Sequence, residues 1–252
     1  MLGKENMYFI LGISIKDCTG CGLCIKTCPS KEKALISKNI DIELRNNVQE
    51  IYDYLDKNIT YKPIFNKYTV KGSQFKQSKF CFPGACAGCG ETAYIKILTQ
   101  LFGENLIIAN ATGCSSIYGG SIPSIPYSLP WMNSLFEDNA EFGFGMAEGA
   151  NRLRERVKRL LEENMSAFSA AVQAAATAWI AGFDDKDQTL ALSDALLAAL
   201  EKETAPVAKE ILSLKAYFTK KSQWIFGGDG WAYDIGYGGV DHVLASGHDV
   251  NI

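Results

Sequence analysis

Histidine is scarce in this 252-residue chain: His242 and His248 are the two it has, and both flank helical sequence near the end. Surface or packing positions are expected for them, and neither is needed for catalysis. Long apolar runs are missing too. No window reaches about 18 uninterrupted apolar residues, the length a membrane-crossing helix needs, and the apolar start, Met1–Ile15, has neither a basic leader nor a small-residue cleavage site. A cytoplasmic protein without a membrane partner is therefore expected. There is no excess of positive charge, with 25 Lys and Arg against 28 Asp and Glu and a net charge of −3. That argues against nucleic acid, which demands a basic face. Internal repeats and low-complexity tracts are absent as well. With 47% hydrophobic and 21% charged residues, the chain has the composition of a globular protein of one large or two modest domains.

Cysteine is what the chain has. Of its eight cysteines, Cys18, Cys21, Cys24 and Cys28, followed by Pro29, are spaced C-x2-C-x2-C-x3-C-P, the bacterial ferredoxin run whose thiolates close around a [4Fe–4S] cube. Gly20 and Gly22 permit the unusual backbone angles such a tight loop needs. Structural zinc is the competing reading, but zinc favours two separated C-x2-C knuckles. In two-cluster ferredoxins the fourth cysteine serves the other cluster, so the module needs two runs. One run is present here, and the chain is expected to begin partway through such a module. Thiolates that hold iron and sulfide must stay reduced, in keeping with the cytoplasm.

Three stretches are expected. Residues 1–36 form a partial ferredoxin-like module, with an apolar strand over 8–15 leading into the cysteine loop at Asp17. Residues 37–79, polar and lysine-rich, are expected to be a linker with one helix around Ile42–Leu55 and a break at Pro63. Residues 80–252 form the larger unit. There Glu91–Phe102 is amphipathic at helical spacing and stops at Gly103, Leu106–Ala109 is a short buried strand, and Trp224–Phe226 is another, with a last strand near Val250. Helical character runs from Asn139 to Met165. Within it Arg152–Glu163 mixes arginines and glutamates at pairing distance, which predicts a solvated helix surface rather than an anion site. Residues 166–217 are alanine- and leucine-rich helices broken near Gly182 and Pro206. Strands alternating with helices predict an α/β fold with a parallel sheet flanked by helices.

Two further motifs bear chemistry. Cys86 and Cys89 leave one tight turn at the start of a helix, and Cys114 follows the Leu106–Ala109 strand, so three thiolates from two loops could seat a cluster. Cys81 could be recruited as a fourth only if its segment bends back across Pro83. A lone redox C-x2-C with Cys114 buried is the alternative. The strand at Trp224–Phe226 runs into Gly227-Gly228-Asp229-Gly230, placing Asp229 at the carboxyl edge of a parallel sheet, where open α/β sheets bind ligands. Asp229 can offer a hard oxygen to Mg²⁺, and the glycines let backbone N–H groups approach a diphosphate.

Together these segments resemble the pyruvate:ferredoxin (or flavodoxin) oxidoreductases. DCTGCGLCIKTCP is similar to half of that family's ferredoxin domain, PGACAGCGETAY and NATGCSSIYGG to its proximal-cluster region, and NSLFEDNAEFGFGMAEGANRLRER and GGDGWAYDIGYGGVDHVLASGHDVN to its thiamine-diphosphate domain. The resemblance implies [4Fe–4S] clusters, thiamine diphosphate and Mg²⁺ as cofactors. It gives one cluster to Cys18, Cys21 and Cys24, assigns Cys28 to another, and gives the cluster nearest the thiamine to Cys86, Cys89 and Cys114. Glu91 and Cys114 would lie against the thiamine, and Gly228, Asp229, Gly230 and Trp231 would bind diphosphate and magnesium. The implied reaction is oxidative decarboxylation of pyruvate to acetyl-coenzyme A, with ferredoxin or flavodoxin as acceptor and a homodimer when complete. The family's further magnesium ligands, fourth proximal cysteine and substrate-binding residues fall outside this chain. It is expected to be truncated at its C-terminus, to depend on missing domains or subunits, and to be inactive alone. The stretch between Pro126 and Asn133 is shorter than usual in the family. Two other readings are an iron–sulfur electron-transfer module without thiamine chemistry and a subunit of another 2-oxoacid:ferredoxin oxidoreductase.

Overall fold

The computed structural model describes residues 8–59, 62, 64–119, 131–233 and 236–252. The expected break at Pro63, and residues 126–130 of the loop before Asn133, lie outside them. The chain divides into two compact units, one running to Leu101 and the other from Phe102 to Ile252.

In the first unit the cysteine loop leads into α1 (Leu23–Thr27), and then come α2 (Ile40–Arg45), α3 (Val48–Asn58), α4 (Val70–Ser73) and α5 (Gly90–Phe102), which ends at the unit boundary. The strand expected over 8–15 does not form: residues 8–14 have no regular structure, and Tyr8–Leu11 are 57–87% exposed. An apolar, β-branched run is a strand only when a neighbour pairs its backbone and covers a face. The single helix expected around Ile42–Leu55 is two. The break falls at Asn46–Asn47, where Asn47 takes a left-handed φ of 58°, a conformation asparagine tolerates better than most residues. Buried polar side chains brace the remainder. Thr99 Oγ1 accepts from the Lys79 amide at 3.1 Å, and Gln100 Nε2 donates to Lys76 O at 3.1 Å.

The second unit is the α/β fold that the alternation of elements predicts. Its strands are β1 (Leu106–Ala111), β2 (Trp131–Ser134) and β3 (Ser222–Phe226), all parallel in the order β2-β1-β3. Between them in sequence come α6 (Cys114–Tyr118), α7 (Asn139–Glu163), α8 (Ala170–Ala181), α9 (Thr189–Leu200) and α10 (Pro206–Ser213), and after β3 come α11 (Asp229–Tyr233) and α12 (Val240–Ser246). The helix breaks fall where Gly182 caps α8 and where Pro206 opens α10, the positions glycine and proline favour. In place of the last strand expected near Val250 there is one parallel bridge, Trp224 to Asn251.

Two hydrophobic cores divide this unit. One lies where α7, α11 and α12 meet the sheet: Ala109, Ala111, Ala140, Ile225, Trp231 and Val243. Small residues set its spacing. A Cβ on Gly143 of α7 would stand 2.6 Å from Ile225 Cγ1 and 2.9 Å from Ala109 Cβ, so the helix can approach the strands this closely only with glycine there. The other core joins the far half of α7 to α8, α9 and α10 around Val157, Leu161, Trp179, Leu196 and Ile211. Trp179 is 1% exposed and donates its indole N–H to Phe218 O at 3.0 Å.

The Arg152–Glu163 stretch is a solvated surface in part. Arg152 pairs with Glu148 and Glu155, and Arg159 with Glu163. Arg154, however, is 6% exposed and faces inward, as do Val157 and Leu161.

Candidate cofactor and cluster site

The first unit carries Cys18, Cys21, Cys24, Cys28, Cys81, Cys86, Cys89 and Glu91. Gly20 and Gly22 have left-handed φ of 69° and 72°, which lets the cysteine loop turn back within a few residues. The approach to the loop is fastened from outside it. Ser14, fully buried, accepts the Cys18 amide on its carbonyl at 3.0 Å, and its hydroxyl donates to Asp17. Gln49 of α3 donates to Ser14 Oγ at 3.1 Å and to Asp53 at 2.8 Å, and accepts the Lys16 amide at 3.0 Å. No spacing rule points to Gln49, because its contact with Ser14 spans 35 residues.

Electrostatics favour thiolate at two of the sulfurs. Backbone N–H groups around Ser30 and Ala34 aim at Cys28 and hold its pKa below the ordinary thiol value, with the Lys33 charge adding to them. Cys89 is lowered chiefly by the N–H groups of Thr92 and Glu91 in the first turn of α5. Thiolate is the form that ligates metal. Cys18, Cys21, Cys24, Cys81, Cys86 and Cys114 are exposed free thiols, and Cys28 and Cys89 are partly covered. Among the described residues, no group of three or more His, Cys, Asp or Glu side chains is drawn together as a metal seat.

In the second unit, Cys114 opens α6 just past the end of β1, and Asp229 opens α11 just past the end of β3. These strands are neighbours, so both residues stand at the carboxyl edge of the sheet. Side chains that sequence reasoning passed over bind this edge together. Asn139, fully buried, donates Nδ2 to Phe226 O at 2.7 Å, and its Oδ1 accepts from Ser134 Oγ at 2.8 Å, joining the ends of β3 and β2. Thr112 Oγ1 donates to Ser134 O at 2.9 Å. Asn110 Nδ2 donates to Ala111 O and to Asn133 Oδ1, both at 2.9 Å, while its Oδ1 is buried without a partner. An orphaned acceptor near the end of the central strand suits a site that receives a donor from a ligand.

The glycine-rich turn has a packing role as well. Trp231 is 3% exposed in the sheet core, and its indole lies so close to Gly227 and Gly238 that a Cβ at either would fall about 2 Å from a ring atom. Tyr233 is 72% exposed. The two histidines lie along α7 beside acidic partners: His248 Nδ1 is 2.7 Å from Glu148, and His242 Nδ1 is 3.8 Å from Glu141. Among the described residues no helix is long and apolar enough to cross a membrane.

No protein-family model matches the chain, but similarity to curated proteins extends along the whole of it. The chain is 48% identical, over all of its length and 23% of the relative's, to the pyruvate:ferredoxin oxidoreductase of Moorella thermoacetica. It is 46% identical, over 99% of its length and 22% of the relative's, to the pyruvate-flavodoxin oxidoreductase of Klebsiella pneumoniae. It is also 41% identical, over 98% of its length and 14% of the relative's, to the mitochondrial pyruvate dehydrogenase [NADP(+)] of Euglena gracilis. The chain thus spans under a quarter of each of these relatives. This end-to-end identity makes the chain a homologue, over that part of their length, of the pyruvate:ferredoxin and pyruvate-flavodoxin oxidoreductases.

Proposed function

We propose that this chain supplies cofactor-binding and electron-transfer parts of an enzyme that oxidatively decarboxylates pyruvate to acetyl-coenzyme A, passing electrons through [4Fe–4S] clusters to ferredoxin or flavodoxin. The observation that carries this reading is the placement of Cys114 and Asp229 on adjacent strand ends of a parallel sheet, in a chain whose relatives bear those enzyme names.

By donor chemistry the residues suit the implied groups, thiolates for iron–sulfur and a carboxylate for Mg²⁺. Asp229 is a hard-oxygen donor at a sheet edge and would hold Mg²⁺, with the Gly228–Gly230 backbone and Trp231 beside a diphosphate. Glu91 and Cys114 would lie against the thiamine ring. Cys86, Cys89 and Cys114 would ligate the cluster nearest to it, and Cys18, Cys21, Cys24 and Cys28 the ferredoxin-type clusters. Thiamine diphosphate, when bound, supplies the carbanion chemistry of decarboxylation, and the clusters supply single-electron storage. The protein's part is orientation. The Asn139 bridge fixes the ends of β2 and β3, and the α5 N–H groups lower the Cys89 pKa and so ease loss of its proton. Pyruvate and coenzyme A are the substrates this reading implies, in relatives of which the chain spans under a quarter.

The test is anaerobic reconstitution of the full chain with iron, sulfide, Mg²⁺ and thiamine diphosphate, measuring bound iron, sulfide, zinc and thiamine together. Iron with sulfide and Mg²⁺-dependent thiamine binding is expected, with Asp229→Asn losing the thiamine and keeping the iron. Zinc in place of iron overturns the reading. Iron without thiamine affinity favours the electron-transfer module.

A further inference from the structure

The amino-terminal edge of the same sheet, opposite the site above, borders a cleft of about 390 Å³. Ile107 of β1 and Gln223 of β3, partners in register, line it together with Arg154 of α7, Phe183 and Lys220.

Arg154 and Gln223 are each only 6% exposed. Arg154 Nη2 donates to Phe183 O at 2.6 Å, and its guanidinium lies 3.9 Å from the centroid of the Phe183 ring and 5.3 Å from that of Trp179. Its Nε has no hydrogen-bond partner, and neither has Gln223 Nε2. Each carboxylate around the cleft pairs with a cation other than Arg154. Asp184 and Asp249 stand 3.3 and 3.7 Å from Lys220, Glu148 stands 2.7 Å from His248, and Glu155 stands 3.2 Å from Arg152. Burial lowers Arg154 to about 10, with Asp184 opposing the shift, so it is still a cation at neutral pH. A buried cation stacked on aromatic rings, with a carbonyl as its hydrogen-bond partner and Asp184 acting only at longer range, is costly unless a further negative group comes to it. Two orphaned N–H donors beside one small cleft call for the same kind of partner.

We propose that this cleft binds a small oxyanion, a phosphate or a carboxylate group, with Arg154 as its principal contact and Gln223 beside it. The stacking on Phe183 and Trp179 fixes the guanidinium before the ligand arrives, which lowers the cost of ordering it on binding. The site stands apart from the cofactor chemistry at the opposite edge, and its test needs neither iron nor thiamine.

Inorganic phosphate and acetate are titrated separately into the full chain by isothermal calorimetry, with ionic strength held constant by sodium chloride. Saturable one-site binding is expected, weakened about tenfold or more by Arg154→Met and by a smaller factor by Gln223→Met. Saturation by phosphate alone identifies a phosphorylated ligand, and saturation by acetate alone a carboxylate. Should Arg154→Met fail to fold, Gln223→Met and Arg154→Lys decide. Absence of saturable binding for both anions, or binding undiminished in the variants that fold, overturns the proposal.

Discussion

The two halves of the second unit are held together by different physics. Around α8, α9 and α10 the core consists of Val157, Leu161, Trp179, Leu196, Leu200 and Ile211, all at most 1% exposed, and apolar burial does the stabilising. At the carboxyl edge of the sheet small residues, Ala109, Ala111 and Ala140, share the core with Ile225, Trp231 and Val243, and side-chain hydrogen bonds through Asn139, Ser134 and Thr112 add order. Large apolar side chains fill space but offer a ligand nothing to bind. Polar bridges leave room and donors beside Cys114 and Asp229. The difference teaches that one long helix, α7, is held by apolar burial at one end and by side-chain hydrogen bonds as well at the other.

The contrast breaks most visibly at its apolar end. Trp179→Ala removes a fully buried indole and is expected to cost about 3–5 kcal/mol, read as a lower urea midpoint. The Arg154 stack goes with it, whereas thiamine affinity per folded molecule stays constant. An equal loss of affinity would show that the halves are one cooperative site. Asn139→Ala is the converse change. It deprives Ser134 Oγ and Phe226 O of a shared partner and is expected to cost about 1–3 kcal/mol, with thiamine binding impaired beyond the fraction unfolded. Calorimetric titration beside an unfolding curve separates the two effects.

The smallest effect sharpens the comparison by pH. Glu203 accepts the Ser169 amide at 2.8 Å with one carboxylate oxygen and the Thr204 amide at 2.8 Å with the other. The Ser169 bonds are the largest cause of its lowered pKa, which falls from 4.5 to about 2. A depressed acid favours the folded state while ionised, so its contribution is fully present above pH 4.5 and is lost as pH falls toward about 2. Wild type and Glu203→Gln should therefore differ in melting temperature at neutral pH and converge in acid. A constant gap refutes the assignment.

Much of this architecture was legible in the sequence because its signals are local. Alternating helix and strand patterns located α5, β1, α7 and β3 to within a few residues, and Gly182 and Pro206 marked real helix ends. The apolar run over 8–14 misled because a strand needs a pairing neighbour, which a composition cannot supply. Asn139, Gln49 and Arg154 stayed hidden for a related reason. Each looks like an ordinary polar residue until a partner 87, 35 or 29 positions away meets it. Arg154 in particular sits in a run of alternating charge that reads as solvated surface, and only the approach of Phe183 shows that it turns inward.

The indole of Trp231 is wedged against Gly227 on one side and Gly238 on the other. The turn carrying Asp229 is thereby geared to the loop around Gly238, since neither backbone can shift without pushing the ring into the other. A ligand that reorganises one turn must therefore be felt at both.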